Sequence, residues 1–362
     1  MFFAEWSKDQ DSFLLAYTGN SVCDASVAFT HTSPKPLRKS RSAALVAIVL
    51  AAVIVMGSCG SKTDSASKRG KTAGSGGPDE LFAETASFET VKGKPQRVTF
   101  GLSTIDGRIL HGGSVLVSFR PVEAKDETTT PGVAATYLGV AGPASAENQI
   151  ASIGALSDGV GVYAATYTFA SAGFWTAEIR ASETGKILAE TAVDVKAKNA
   201  IPDVGDPAPP TVNPILLVGK QPSVPINQID SRSGPDALTE LADPALHTQV
   251  IADLLKAQRP FVVVVSTPAY CQSKFCGPIT DLVDERAKSQ PASTAGVAFV
   301  HLEVFADATA GTINPWAAEW ILNDGEGREP WVFLVGRSGK IAARFDNVMT
   351  SGEFDAALEK LK

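Results

Sequence analysis

From Leu81 to about Lys198, apolar side chains recur at every second position. Val98, Phe100 and Leu102 alternate with polar or small neighbours, as do Val115, Val117 and Phe119, then Tyr163, Ala165, Tyr167 and Phe169, then Trp175, Ala177 and Ile179. A period of two puts one face of a strand in a core and the other in water. Turn signals separate these runs: Asp106-Gly107, Gly112-Gly113, Pro131-Gly132, Asp158-Gly159, Ala172-Gly173 and Thr184-Gly185. Short alternating strands with regular turns and no helical stretch predict an antiparallel β-sandwich. Trp175 is expected at its centre. His111, beside Gly112-Gly113, is expected at the surface, because a copper ligand would need a second His or a Met cluster nearby.

Further along, the pattern alternates between strand and helix. Asn199 to Pro235 carries Pro202, Pro207, Pro209, Pro210, Pro214, Pro222 and Pro225, which favour extended chain and predict a linker. Leu238 to Ala257 reads as a helix starting near Asp243-Pro244, with Leu246, Val250, Leu254 and Leu255 near one face. The unbroken apolar run Phe261 to Val265 fits a strand buried on both faces. A helix from about Gly277 to Ala287, a strand Val297 to Phe305 and a helix around Trp316 to Leu322 follow. Strands Trp331 to Val335 and Ile341 to Phe345, joined by the turn Gly336-Arg337-Ser338-Gly339, precede a last helix from Ser351 to Lys360.

The N-terminus reads as targeting information. Lys35, Arg38, Lys39 and Arg41 precede the apolar stretch Ala43 to Met56, which is short for a bilayer span. Its end, Met56-Gly57-Ser58-Cys59, resembles a bacterial lipobox, which implies that Cys59 is lipidated and becomes the first mature residue; a plain signal anchor is the alternative. Residues 1–34 show no sustained period and are assigned no function. The Ser-, Gly-, Lys- and Thr-rich stretch 60–78 reads as a flexible tether.

Composition narrows the classes. A content of 44% hydrophobic and 20% charged residues fits globular domains, and 362 residues allow more than one. A net charge of -7, with no basic stripe among aromatics, argues against nucleic acid as a partner.

Candidate chemistry concentrates at Cys271-Gln272-Ser273-Lys274-Phe275-Cys276, directly after the Phe261 to Val265 strand and before a helix. A strand feeding a helix through a cysteine turn suits a thiol redox centre. With Cys59 lipidated and Cys23 removed, Cys271 and Cys276 are left to pair in an exported protein. Residues five apart in a continuous helix lie roughly 8 to 9 Å apart, beyond the ~7 Å that a disulfide tolerates. Cys271 is therefore expected in the turn, with the helix beginning nearer Lys274 or later and Cys276 inside it. A disulfide closing so short a loop stabilises by only about 2 kcal/mol, so a purely structural staple is the weaker of two open readings.

Two resemblances sharpen this picture. Gly161-Val162-Tyr163 through Ala172-Gly173-Phe174-Trp175 resembles the penultimate hairpin of bacterial immunoglobulin-like domains. Glu329-Pro330-Trp331-Val332-Phe333-Leu334-Val335 with Gly339-Lys340-Ile341-Ala342 resembles the C-terminal half of thioredoxin, and Val204-Gly205-Asp206-Pro207-Ala208-Pro209 its exported lead-in. The second resemblance implies that Pro330 is a cis-proline presenting backbone to substrate and that Cys271 is the nucleophile. The spacing departs from that family, with four intervening residues instead of two. An alternative register sets Cys276-Gly277-Pro278 on the family's Cys-Gly-Pro. Resemblance to Sco-type copper carriers would add His301 as a ligand, although a sheet position suits His301 better. Glu303 on the same strand face is expected to face solvent, with a buried proton acceptor as the alternative. Trp331 either shapes a groove beside Pro330 or fills the core.

The sequence thus predicts a multidomain chain: an all-β immunoglobulin-like sandwich followed by an α/β thioredoxin-like fold. Residues 1–59 form an extension and lipoprotein signal, 60–78 a tether, 79–198 the sandwich, 199–235 a linker and 236–362 the thioredoxin-like domain. The expected activity is extracytoplasmic thiol-disulfide exchange by a Cys-x4-Cys pair, with Cys271 attacking, Cys276 resolving and Pro330 orienting substrate. Expected partners are exported protein thiols or disulfides and, through the lipid on Cys59, the membrane; no cofactor or metal is required. A non-catalytic interaction module with a structural disulfide is the alternative, and a copper chaperone a more distant one.

Overall fold

The computed structural model describes residues 77, 79–124, 131–141, 150–155, 160–217, 222–233, 241, 243–271, 273, 275–289, 296–323 and 326–361. Cys23, Cys59 and the expected signal lie outside them, as do Gln272 and Lys274. Contacts divide the chain after Lys62, and everything described belongs to the second unit, Thr63–Lys362.

Alternation from Leu81 onward produces ten strands: β1 (Leu81–Thr85), β2 (Thr90–Val91), β3 (Gln96–Thr104), β4 (Ile109–His111), β5 (Ser114–Pro121), β6 (Val133–Ala141), β7 (Ser152–Gly154), β8 (Val160–Tyr167), β9 (Gly173–Ala181) and β10 (Ile187–Lys196). They pair in the order β2-β10-β9-β5-β6-β8-β3-β4-β7, with β1 also on β3. All pairs are antiparallel except β2 with β10. β1, which pairs with β3, also reaches β10 near the other end of this order, the Thr85 hydroxyl donating to the Ala192 carbonyl at 2.9 Å. One face of every long strand therefore turns inward, and Val98, Phe100, Val117, Phe119, Tyr137, Tyr163, Phe169, Trp175 and Ile179 fill a single core. Each such side chain contributes on the order of 1.5–3 kcal/mol by leaving water. Gly161 permits β8 to close on β6, because a Cβ there would overlap the Leu138 carbonyl and the Tyr137 ring. The described chain is mostly β, in keeping with an immunoglobulin-like sandwich.

His111 departs from expectation. It is buried rather than at the surface, its ring nitrogens meeting the Tyr137 hydroxyl at 3.3 Å and the Ala155 carbonyl at 3.2 Å. A turn histidine can be drawn inside when both nitrogens find partners there.

The second half builds a four-stranded sheet from β11 (Phe261–Ser266), β12 (Ala298–Glu303), β17 (Trp331–Val335) and β18 (Ile341–Asp346), in the order β12-β11-β17-β18. Two short ribbons, β13 (Phe305–Asp307) with β14 (Thr312–Ile313) and β15 (Leu322–Asn323) with β16 (Glu326–Gly327), lie outside it. The β11 and β12 strands run parallel, while β17 is antiparallel to both β11 and β18. Helices α1 (Ile251–Lys256), α2 (Cys276–Lys288), α3 (Pro315–Ile321) and α4 (Ser351–Leu358) cover the faces. Val263, Val265, Val300, Leu302, Trp331 and Phe333 point to one core, with Trp320 and Ile251. Val262, Val264, Phe299, Val332 and Leu334 point to the other, with Ile279, Val283 and Phe354. Cover on both faces explains why these strands read as unbroken apolar runs.

The single helix expected over Leu238–Ala257 is not observed. Pro244–His247 forms one 3-10 turn, Val250 is extended, and α1 starts only at Ile251. Asn213 explains the break: its Oδ1 accepts the Ile251 N–H at 3.0 Å and its Nδ2 donates to the Gln249 carbonyl at 3.0 Å, taking bonds that a continuous helix would use. The described part of the proline-rich run packs on the second sheet and forms one 3-10 turn at Ile226–Gln228. Its Gly205 and Ala208 N–H groups donate to the carbonyls of Ile341 and Gly339, and Ile201 and Ala208 are buried in the second core.

Candidate functional site

The C-terminal end of β11 and the start of β17 meet in register, Val265 opposite Trp331, so that the cysteine turn and Pro330 leave adjacent strands at the same end of the sheet. The Thr267-to-Tyr270 turn follows β11, and Cys271 comes next, half-buried. Cys271 is disulfide-bonded to Cys276 with 5.9 Å between their Cα atoms. The expectation that Cys276 lies inside the helix needs correction, because α2 begins at Cys276, which is fully buried. Pro278 fixes that start: a proline lacks the N–H that the first turn of a helix leaves unpaired. Cys271 stands outside the helix, its Sγ 3.3 Å from the Ser273 hydroxyl. Tyr270 beside it is 62% exposed.

The Glu329–Pro330 peptide bond is cis. Trp331 is buried, stacked on Phe333 at 5.7 Å between centroids, so it fills core rather than lining a groove. Glu329 accepts the Thr267 N–H, and the Thr267 hydroxyl donates to Glu303. One residue of the cysteine turn is thus clamped between two glutamates. Glu303 is 1% exposed, against the expectation of a solvent-facing carboxylate, because the segment Ile226–Ser233 covers this edge strand and the Ser231 N–H donates to Glu303 at 2.7 Å. Burial pushes the Glu303 carboxyl above its ordinary range, opposed by His301 and by the hydrogen bonds from Thr267 and Ser231. Burial and the neighbouring Glu303 charge push Glu329 up to about 8. A cavity of about 310 Å³ opens beside the turn, lined by Tyr270, Ser231, Asn227, Glu303, Phe305 and the residues 306–309. The Ser231 hydroxyl also accepts the Ala269 N–H at 3.1 Å, tying the covering segment to the cysteine turn.

Below the turn lies a polar cluster that sequence reasoning missed. His301 of β12 is buried, as a sheet position implies, but it meets Asp243, His247 and Asp230 rather than the cysteines. Ligand-capable atoms of these four buried residues lie within 4.8 Å of one another. His247 Nε2 is 3.0 Å from Asp243 Oδ1, and the two histidine rings stand edge to face at 5.2 Å. Arg232 reaches Asp230 at 3.0 Å, Asp243 at 2.6 Å and the exposed Asp281 at 2.9 Å. Burial alone would raise the Asp243 carboxyl, but the His247 hydrogen bond and the two neighbouring histidines hold it well below the usual carboxylate range. Asp243 and His247 stand four residues apart, a signal visible in the sequence once His301 is known to face them. A short hydrogen-bond relay links them to the Cys276 backbone: the Thr280 hydroxyl donates to the Cys276 carbonyl at 2.8 Å, Ser266 Oγ is 2.7 Å from Thr280, and His301 Nε2 is 3.0 Å from the Ser266 carbonyl.

No protein-family model and no curated protein matches the chain. Among solved structures it is similar to the Lin-41 filamin domain, at 12% identity and a TM-score of 0.19, covering 32% of this chain and 93% of that one. A candidate lipoprotein of Bacillus anthracis is similar at 11% identity and a TM-score of 0.20, covering 37% of this chain and 88% of that one. Among the described residues, no helix is long and apolar enough to cross a membrane.

Proposed function

We propose that this chain is an extracytoplasmic, membrane-tethered thiol-disulfide exchange protein with a thioredoxin-like C-terminal domain. The observation that carries the reading is a half-exposed Cys271 bonded to a buried Cys276 at the head of α2. Support for the fold comes from the parallel β11–β12 pair and the β17–β18 hairpin, with Pro330 at the same end of the sheet as the cysteine turn. In the reduced protein, the Cys271 thiolate attacks one sulfur of a partner disulfide. A Cys271–partner bond forms, and the other partner sulfur leaves as thiolate and is protonated. The Cys276 thiolate then attacks Cys271 Sγ, restoring the intramolecular disulfide and releasing the partner reduced by two electrons. Running the same steps backwards oxidises a dithiol partner. Pro330 would present backbone to the bound chain, and Glu303 and Glu329 would hold protons at the base of the turn.

The tether rests on Met56-Gly57-Ser58-Cys59 after a basic, apolar leader. Cys59→Ala is expected to abolish lipid labelling and release the protein from membranes, and membrane retention by an unlipidated native chain would reject this part. For the chemistry, Cys276→Ser is expected to accumulate mixed disulfides through Cys271, whereas Cys271→Ser accumulates few. The pair's reduction potential is expected in the roughly -270 to -120 mV range of exchange centres. Complete burial of Cys276 favours a second reading, a structural disulfide that pins the start of α2. A potential below about -300 mV, with no trapped partner in either variant, would establish that reading instead.

A further inference from the structure

We propose that Asp230, Asp243, His247 and His301 form a binding site for one divalent cation of the zinc class, separate from the cysteines. All four side chains are buried, and their ligand-capable atoms already lie within 4.8 Å of one another. Two imidazoles and two carboxylates are a donor set that suits Zn²⁺ in four-coordinate geometry.

Hydrogen-bond accounting gives the independent observation. Thr280 spends its proton on the Cys276 carbonyl, so its oxygen must accept from the Ser266 hydroxyl. Ser266 can then offer His301 Nε2 only acceptors, its carbonyl at 3.0 Å and its hydroxyl oxygen at 3.2 Å. Nε2 therefore carries the ring proton, and in the neutral ring Nδ1 is a bare lone pair. That lone pair is buried without a hydrogen-bond partner and lies 4.0 Å from Asp243 Oδ2, an oxygen that Arg232 holds at 2.6 Å. A fully buried imidazole lone pair with no donor, set among carboxylates and a second imidazole, calls for a positive centre that it can bind. The His301 Nε2–H bond to a backbone carbonyl is also the outer-shell contact that orients a metal-bound histidine.

Charge supports the same site. Two aspartates against Arg232 leave one negative charge unbalanced when both histidines are neutral. A divalent cation balances both aspartates alone, provided Arg232 gives up its contacts with Asp243 and Asp230. Arg232 has somewhere to go, since its Nη1 already bonds exposed Asp281 at 2.9 Å. Arg232 thus competes with the metal. Bound metal would clamp the segments carrying Asp230 and Asp243 onto β12, next to the cavity beside Tyr270.

The test uses full-length, chelator-stripped protein with its disulfide intact, titrated with Zn²⁺ and, in parallel, with Co²⁺ as a spectroscopic stand-in. The expected result is one equivalent of metal and the intense visible bands of four-coordinate Co²⁺. His301→Gln keeps an amide where Nε2 bonds Ser266 but deletes Nδ1, and should weaken binding by more than the roughly 10- to 100-fold that an outer-shell loss costs. Arg232→Gln should tighten it, a change that a folding defect cannot produce. The Cys271→Ser/Cys276→Ser double variant should bind as the native protein does. Native protein that takes up neither ion overturns the site, and so does binding that survives His301→Gln or is lost with the cysteines. The cluster would then be an ion network balanced by Arg232 and a protonated histidine.

Discussion

Glu329 shows how one side chain can set a pH response. Its carboxyl is pushed up to about 8 by burial and by Glu303, while the Thr267 N–H opposes the shift. Below the unperturbed value of 4.5, folded and unfolded chains both carry the proton. Between 4.5 and about 8 the unfolded chain has released it and the folded one retains it, so stability falls as pH rises through this window. The slope from one such group is at most about 1.4 kcal/mol per pH unit, and it vanishes above the folded value. Glu329→Gln keeps an oxygen for Thr267 and removes the titration. Urea midpoints measured from pH 5 to 9 should therefore fall less steeply in the variant, with Glu303, raised in the same sense, supplying what slope remains. An identical slope in both proteins would show that Glu329 is ionised throughout.

At the scale of elements, legibility followed local pattern and failed where partners come from far away. The two-residue period of β3, β5, β8 and β9 reflects a sheet with one face inside, and the unbroken apolar runs of β11 and β17 reflect cover on both faces. The cysteine turn and the cis-proline position were likewise readable, because each is a short motif at a strand end. The break before α1 was not, since it depends on Asn213, 38 residues before Ile251. Nor was the burial of Glu303, which rests on Ser231, 72 residues earlier in the chain. The start of α2 at Cys276 falls within one residue of the predicted Gly277, because a proline in the third helical position marks the first turn.

At the scale of the molecule, the sandwich and the second sheet are joined by buried charge rather than by a free linker. Arg344 of β18 donates to Glu89 at 2.9 Å, to Asn199 at 3.2 Å and to the Pro202 carbonyl at 3.1 Å, and its Nε lies 3.0 Å from Asp203. Its guanidinium also covers the Trp331 ring at 5.2 Å, while Phe88 packs on the same indole at 5.8 Å. Arg97 of β3 adds a second tie, to Glu353 at 3.1 Å and the Val348 carbonyl at 2.8 Å. A planar fork is needed to serve three segments at once, so lysine cannot substitute. Removing Arg344 leaves the buried Glu89 carboxylate without its cation, while Asp203 keeps Lys94, and loss of one member of a buried ion pair costs about 3–5 kcal/mol. Arg344→Ala is therefore expected to lower stability by about 3 kcal/mol and to split a single cooperative urea transition into two, because the ties through Arg97 and Phe88 remain but the central one is gone. Two transitions in the native protein, unmoved by Arg344→Ala, would show instead that the sheets unfold independently and that the junction is only a contact.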